Sequence, residues 1–472
     1  MSELMEEIKA LVAGHIKGSP HLSGAKYYNE PVERMPRPKI EELQWKLLKL
    51  QIKRAYELTP FYHKRLKEVG IKPEDIKTLK DFQKIPPVLK DDIREQMKKT
   101  GDPFGGCLAV PFLPSKILNV YSSTGTTGLR TFNVHTDWDR NWCLEEICRL
   151  GVMEMHDAPP GSVFIDFGFH WHGGITGVEL GVSRLGLIVA PMEALGPGFE
   201  LERCLQALQF LKPISIHWPL VTLWIFGDWL QSINKDPKEA MKHVKLLSTS
   251  GDVLTTAAAE FVKEYWGFER VHSGFQMADT WITGCNCSEQ PPNITHICDD
   301  FHYVEAVDPE TGEQVAPGER GILVITPLVM EAIPHLRWNN EDYVSLIQDE
   351  CECGRTHTRL HWYGREAFAV DVRGRKVFPS EVETELFEYP EIGVNAIASQ
   401  FVKTAEGSQD KLIIRVTYFP DKTKDPQKLK ESAEKKIKQK LGLDVEIEFM
   451  SQDEMKAALT APHKTSRLIK RY

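Results

Sequence analysis

From Glu41 to Leu66 the chain reads EELQWKLLKLQIKRAYELTPFYHKRL, with apolar residues returning every three or four positions and a break at Pro60. That period predicts an amphipathic helix with a core-facing stripe. Residues 1 to about 100 read as mainly helical. From about 115 to 335 the pattern changes to short β-branched runs, ILNVYSS, SVFIDFG, LGLIVAP, PISIHWP and KLLSTSG, each stopping at Gly, Ser or Pro before a helix-like segment. Such alternation predicts an α/β sheet architecture. VDPETGEQVAPGERGILVITP reads as a pair of strands about Gly and Pro turns, and a fresh strand-turn-helix pattern starts in WYGREAFAVDVRGRKVFPSEVETEL. KLIIRVTYF is then a strand, DPQKLKESAEKKIKQKLG a lysine-rich helix ending at Gly442, and DVEIEFM another strand. The expected fold is α/β, a large N-terminal α/β domain over 1–363 and a small α+β C-terminal domain over 364–472, without internal repeats.

Composition narrows the class. With 472 residues, 42% of them hydrophobic, the chain has enough apolar material for a core in each of two to four folding units. No apolar stretch approaches the roughly 18 to 20 residues that cross a bilayer, so a soluble protein is expected. MSELMEEIKALVAGHIKG lacks the basic start and apolar block of a secretory signal, which points to the cytoplasm. Lys plus Arg number 58 against 67 Asp plus Glu, and a net charge of -9 argues against a nucleic-acid backbone binder. A local anion site is compatible with it. Nine cysteines are too sparse for a disulfide scaffold.

Three segments carry candidate chemistry. Tyr121-Ser122-Ser123-Thr124-Gly125-Thr126-Thr127-Gly128 follows an apolar run. Its glycines let the backbone turn tightly and its hydroxyls can donate to phosphate oxygens, although a Ser/Thr-rich turn has the same composition. No Gly-Lys-Ser/Thr follows, so it is not the P-loop of the common NTPases. Cys285, Cys287 and Cys298 lie in one short segment with His296, and Cys351 and Cys353 in another. Paired Cys-x-Cys elements with a histidine supply the thiolates and imidazole of a tetrahedral zinc site, with buried, metal-free thiols as the alternative. Phe167-Gly168-Phe169-His170-Trp171-His172-Gly173-Gly174 is dense in aromatics and glycine, as a ligand wall or an ordinary core would be.

The glycine and hydroxyl loop resembles the phosphate-binding motif of the adenylate-forming enzymes, the superfamily of acyl-CoA synthetases, peptide-synthetase adenylation domains and luciferases. Its nearest relative by this likeness is the phenylacetate-CoA ligase family, from about residue 30 onward. Phe61-Tyr62 and Ile85-Pro86-Pro87-Val88-Leu89-Lys90-Asp91-Asp92 resemble that family's N-terminal region and were expected to carry no chemistry. Where the family continues past the loop with Lys-Pro, this chain has Leu129 and Arg130.

The resemblance implies an AMP-forming acid-CoA ligase that uses ATP, Mg2+ and CoA. Ser122 to Gly128 would hold the phosphates. Ser250-Gly251-Asp252 resembles the family's Gly-Glu segment near the adenine. Phe275-Gln276-Met277-Ala278-Asp279 resembles aromatic-Gly-x-Thr-Glu, with Asp279 in place of the Mg-associated glutamate and Gln276 and Ala278 departing from the pattern. Arg337-Trp338-Asn339-Asn340-Glu341-Asp342 stands where the family reads Arg-Tyr-Arg-Thr-Arg/Gly-Asp, which assigns Asp342 to the ribose hydroxyls. Gly364-Arg365 resembles the motif opening the mobile C-terminal domain, with Arg365 serving the nucleotide. The hinge near Glu366 reads Glu366-Ala367-Phe368 where the family has x-Asp-Asp, and Arg373-Gly374 beyond it would face the CoA tunnel. His463-Lys464-Thr465-Ser466-Arg467 resembles Gly-Lys-x-x-Arg, which makes Lys464 the adenylation lysine. The acid would lie against Phe169, His170, Trp171, His172, Gly173 and Trp281, an aromatic wall suited to an aryl or cyclic carboxylic acid. Thr295-His296 and Cys351-Glu352-Cys353-Gly354-Arg355-Thr356-His357 resemble a recurrent element of the same family, giving Cys287, His296, Cys351 and Cys353 as ligands of a structural zinc, with Cys285 or Cys298 able to replace one. The expected partners are a small-molecule carboxylic acid, ATP and CoA, with no nucleic acid or membrane and a homodimer left open. Two alternatives stand beside the ligase: transfer of the acyl group to a carrier-protein thiol or an amine, and a nucleotide-binding relative without turnover.

Overall fold

The computed structural model describes residues 3–17, 24–113, 116–122, 129–168, 173–192, 200–372, 375–393, 399–403, 412–457 and 468–470. The N-terminal helices are α1 (Glu3–Leu11), α2 (Glu30–Glu33), α3 (Arg37–Leu58), α4 (Pro60–Glu68), α5 (Leu79–Phe82) and α6 (Lys90–Thr100). Pro60 ends the periodic pattern because it opens α4 at its first helical position, where the Thr59 side chain accepts from the Tyr62 N–H. The stripe of α3 is not purely apolar. Gln44, Gln51 and Arg54 are buried on it and donate to the carbonyls of Asp299, His302, Pro327, Met330 and Glu331. These side chains satisfy carbonyls at strand ends that would otherwise be buried without donors.

Strands β1 (Asn119–Ser122) and β2 (Phe132–His135) pair only with each other, as an antiparallel ribbon. The ILNVYSS run is therefore not a strand of the main sheet, because its partner follows it directly in the chain. Next come α7 (Asp137–Met155), β3 (Val163–Asp166), α8 (Gly173–Arg184), β4 (Ile188–Pro191), α9 (Leu201–Leu211), β5 (Ser215–His217), α10 (Leu220–Ser232), α11 (Pro237–Ala240), β6 (Leu246–Ser250), α12 (Thr256–Trp266) and β7 (Arg270–Gln276). Then β8 (Thr283–Cys285), β9 (Ile294–His296), β10 (His302–Val307), β11 (Gly321–Pro327), β12 (Trp338–Ile347) and β13 (Arg359–Arg365) follow with no α-helix between them. Together β3 to β13 form one 11-stranded sheet in the order β10-β11-β12-β13-β9-β8-β7-β6-β5-β3-β4. Its half from β7 to β4 is parallel, and the rest is antiparallel. The expected alternation holds to β7 and fails beyond it, since parallel neighbours need a crossover helix and strands joined by short turns pair antiparallel.

The C-terminal part comprises β14 (Val370–Val372), β15 (Arg375–Val377), α13 (Pro379–Leu386), β16 (Ile392–Gly393), β17 (Gln400–Lys403), β18 (Leu412–Tyr418), α14 (Pro426–Leu441), β19 (Val445–Met450), α15 (Gln452–Ala457) and β20 (Leu468–Lys470). α14 ends as its sequence predicts, with Gly442 in the left-handed region at φ 69°. The strand β18 is central in a five-stranded sheet, flanked by β16, β17 and β19. Its core is continuous with the larger sheet: Val382, Ile414 and Ile437 belong to one apolar cluster with Trp224, Val262 and Trp266, and the Phe419 ring stacks on Phe261 at 5.7 Å.

His135, at the end of β2, is 1% exposed and lies between the rings of Tyr121 and Trp281, at 4.9 and 4.0 Å. Burial pushes its pKa down to about 3. The unfolded chain binds a proton at this histidine below about pH 6.5 while the folded chain does not, so stability falls as pH drops from there towards the folded value. We expect His135→Phe to gain on the wild type by about tenfold in the folding constant per pH unit between pH 6 and pH 4. Urea unfolding of both proteins across that range checks this; parallel pH profiles would contradict it.

Candidate active site

The C-terminal ends of the parallel strands converge on a set of polar groups whose centre is Asp279. Strand β7 ends at Gln276, and a turn in which the Met277 N–H donates to the Ile282 carbonyl brings the chain into β8. Trp281 takes φ 58° in that turn. Asp279 is 5% exposed; its Oδ2 accepts from Lys90 Nζ at 2.8 Å and its Oδ1 from Thr131 Oγ1 at 2.8 Å. Asn133 Nδ2 holds the carbonyls of Ala278 and Asp279 at 2.7 and 2.9 Å. Burial alone would raise the Asp279 pKa, but the Lys90 ammonium outweighs it and holds the carboxyl below its ordinary range. Thus the Ile85–Asp92 stretch, expected to carry no chemistry, supplies the cation of the site. Nothing local in PVLKDD marks Lys90 for this; only the fold brings it to a residue 189 positions away.

At the neighbouring strand end, Ser250 closes β6 and Gly251 turns the chain at φ 100° into Asp252, whose Oδ1 accepts from the Val253 N–H. Behind Ser250, His217 on β5 places Nε2 3.1 Å from Ser250 Oγ and Nδ1 2.9 Å from Asp166 Oδ1. Burial works against the charged imidazole, yet Asp166 overrides it and raises the His217 pKa. Neither His217 nor Asp166 stood out in the sequence, since each closes an ordinary apolar strand.

Asp342 and Arg365 face each other across β12 and β13, with Arg365 Nε 3.9 Å from Asp342 Oδ1. Asp342 is 1% exposed and accepts from Trp362 Nε1 at 2.9 Å and Asn340 Nδ2 at 2.6 Å. The Trp362 ring meets Phe275 edge-on at 5.3 Å, which links the ribose candidate to the adenine candidate. Arg337, which opens the same motif, is a structural residue: fully buried, it pairs with Glu305 and donates to the carbonyls of Gln83, Ile85 and Gly312.

A cavity of about 70 Å³ opens beside these strand ends, between α7, α8 and the sheet. Leu150, Val182, His217, Ser250, Phe275 and Gln276 are among its lining residues. Trp281 is not; it is buried against Tyr121 and His135, among residues that pack on the N-terminal helices. Ser122 is the last residue of β1 and half-buried, and Gly173 opens α8. Ser123 to Gly128, Phe169, His170, Trp171, His172, Arg373, Gly374 and Lys464 lie outside the described residues.

Packed against Leu150 and Met153 of α7, one ligand atom each from Cys287, His296, Cys351 and Cys353 lies within 4.8 Å of the others, all four residues being buried. The Cys287 and Cys351 sulfurs are 3.8 Å apart, and Cys353 Sγ is 3.6 Å from His296 Nε2. Bonds of about 2.3 Å to sulfur and about 2.0 Å to nitrogen give tetrahedral edges of about 3.8 and about 3.6 Å, so the donor set has the dimensions of a zinc centre. The Cys353 thiol is pulled below its ordinary value by a hydrogen bond from Cys287 and by His296. Cys285 points away and donates to Glu154 Oε1 at 2.8 Å, and Cys298 packs in the cluster that holds Trp142 and Phe301.

Residues 374–471 match the family model for the AMP-binding enzyme C-terminal domain. The chain is 30% identical over 393 residues to the phenylacetate-coenzyme A ligase of Thermus thermophilus, covering 82% of this chain and 84% of that one. The chain belongs to the phenylacetate-CoA ligase family. The corresponding ligase of Aromatoleum evansii is 28% identical, with 83% and 84% covered. A crystal structure of 2-hydroxyisobutyryl-CoA ligase in the postadenylation state, in complex with 2-HIB-AMP, shares the fold with a TM-score of 0.81, at 23% identity and over 95% of this chain and 93% of that one. This family member is an AMP-forming acid-CoA ligase.

Removing one partner of a buried ion pair leaves the other charge uncompensated. Lys90→Met should therefore destabilise the protein by about 3 kcal/mol at pH 7, and Lys90→Met with Asp279→Asn should recover most of that loss. Denaturant unfolding of the two variants measures both effects; equal stability of the single and double variants would refute the coupling.

Proposed function

We propose that this ligase binds its carboxylic acid in the cavity between α7, α8 and the ends of β5 to β8, with ATP across the same strand ends. The observation that carries the reading is that the cavity shares Ser250, Phe275 and Gln276 with the segments expected to hold the nucleotide. A carboxylate there stands beside the site of its own activation, which is the proximity that an in-line attack on the α-phosphorus needs. In this reading Ser122 to Gly128 hold the phosphates, Ser250 to Asp252 and Phe275 the adenine, and Asp342 with Arg365 the ribose side. Ser250 is oriented from behind by His217, so its hydroxyl is fixed before substrate arrives. Mg2+ bound with ATP near Asp279 would neutralise phosphate charge. Lys90 keeps the Asp279 carboxylate ionised and in place. The cavity's apolar lining suits an aryl or cyclic acid, and the family resemblance assigns the aromatic segment Phe169 to Gly173 to the same acid.

Residues 364–472 form the mobile domain in this reading, turning about Glu366 to Phe368 after adenylation. Lys464 serves the first half-reaction, and Arg373-Gly374 the approach of CoA in the second. CoA thiolate then attacks the acyl carbonyl, the acyl–phosphate bond breaks, and AMP leaves. Acid-dependent ATP-pyrophosphate exchange, followed by thioester analysis with CoA, tests the sequence of steps. Lys464→Ala should slow the exchange by orders of magnitude while sparing thioester formation from a supplied acyl-adenylate. Equal loss in both half-reactions would remove Lys464 from that role. Ready adenylate formation with no thioester to CoA from any acid tried would instead favour a carrier-protein thiol or an amine as acceptor.

The four-residue donor set leaves no open coordination position, so the zinc we assign to it is structural. Protein purified without added metal should contain about one zinc per chain. Cys351→Ser should lower the melting temperature by several degrees with little change in turnover, because metal binding is coupled to folding. Metal-free protein with an unchanged melting temperature would rule the site out. We place the enzyme in the cytoplasm; no helix among the described residues is long and apolar enough to cross a membrane.

A further inference from the structure

The cavity wall formed by α7 is apolar at Ile147, Leu150 and Met155, but it is interrupted by Glu154, which is 8% exposed. A carboxylate set among such neighbours is costly unless hydrogen bonds replace its lost water. Glu154 has only part of that replacement. Its Oε1 accepts from Cys285 Sγ at 2.8 Å and from Ser248 Oγ at 3.3 Å, one a weak donor and the other at long range. Its Oε2 accepts no hydrogen bond from the described residues. Two further polar atoms of the same lining, Gln276 Nε2 and Thr283 Oγ1, are buried without a partner among the described residues. The cavity thus holds polar groups with unused hydrogen-bonding capacity inside an otherwise apolar mould, the pattern of a ligand site that fixes orientation.

Depth separates the ends of this site. Ser250, at the nucleotide side, and Ser248, which touches Glu154, are two residues apart on β6, so Glu154 lies about 7 Å below the strand end. Resting on the reading that the acid occupies this cavity with its carboxylate at Ser250, we infer that the natural substrate carries a hydroxyl or amino group at the end opposite its carboxyl, and that this group donates to Glu154. A bare ring or alkyl chain would leave the carboxylate facing hydrocarbon, and a second carboxylate would be repelled.

The test compares acids in pairs that differ only in the donor: phenylacetate with 4-hydroxyphenylacetate, and benzoate with 4-hydroxybenzoate and 4-aminobenzoate. AMP release with ATP and CoA is followed for wild type, Glu154→Gln and Glu154→Leu. For wild type, kcat/KM should favour the donor-bearing acid by at least about tenfold, since a site built to bond a polar substituent discriminates against its absence. Glu154→Leu should reverse the preference, and Glu154→Gln, whose amide oxygen still accepts, should retain part of it. A purely structural Glu154 would lower all rates together and leave the ratio unchanged. Equal turnover of both members by wild type, or a ratio unmoved in either variant, overturns the inference and leaves the ligase reading standing. Absence of AMP release with every acid, in wild type as in the variants, overturns the cavity reading and the inference with it. If Glu154→Leu does not fold, the wild-type ratio and Glu154→Gln still decide.

Discussion

A carboxylate cannot remain charged inside a protein without a partner, and at Asp279 that requirement organises the molecule around its candidate active site. The partner is Lys90, from the first turn of α6, and the second bond comes from Thr131, just before β2. Asn133, within β2, holds the adjoining carbonyls. The N-terminal helices, the β1–β2 ribbon and the end of the parallel half-sheet are thereby brought to one point. None of the three can shift alone without stranding a buried polar group.

Helix α7 shows the same rule at larger scale. It runs between the sheet and the N-terminal helices, and most of its residues are buried, Glu145, Glu146, Arg149 and Glu154 among them. Arg149 spans Asp300 at 2.9 Å and the carbonyl of His15 at 2.6 Å, while His15 Nδ1 reaches Asp300 at 2.8 Å. Burial and the Arg149 charge contend at Asp300, and the charge wins, holding that carboxyl far below its ordinary value. Polar residues distributed around a buried helix leave it without a simple apolar stripe, yet each one answers to a specific neighbour.

Features governed by nearby residues were legible in the sequence. The glycine stop of α14, the proline at the start of α4 and the strand runs from β3 to β6 rest on short-range rules and stand where the pattern put them, while the thiol-imidazole set, whose members lie 64 and 57 positions apart, was legible only through the family resemblance. Long-range pairings were not legible. Lys90 meets Asp279 across 189 positions, His217 meets Asp166 across 51, and Glu154 meets Cys285 across 131, so no local spacing distinguishes them from other charged or apolar-flanked residues. The same reason explains the antiparallel half of the sheet: strand runs look alike whichever way their neighbours point. Among the five clustered cysteines the family resemblance pointed to Cys287, Cys351 and Cys353 and left Cys285 or Cys298 as replacements; in the structure Cys285 turns toward Glu154 while Cys287, two residues on, turns toward Cys351.

Where α7 meets α8, glycine leaves room for a side chain of the facing segment. A Cβ built at Gly181 would stand 2.4 Å from an Ile147 side-chain carbon, and one at Gly151 would stand 2.7 Å from Leu185. These helices cannot slide apart or together without opening a void or a clash, so the frame of the cavity is invariant while its wallpaper is not. Ile147, Val178 and Val182 all line the hollow, but only Ile147 of the three also packs on a glycine of the opposite helix, Gly181. Exchange of Val178 or Val182 would therefore remodel the recess one methyl at a time while the polar groups at the strand ends stay in register. With the acid in this recess, as proposed, such a partition would let a lineage explore new carboxylic acids by single codon changes without first dismantling the groups that activate them.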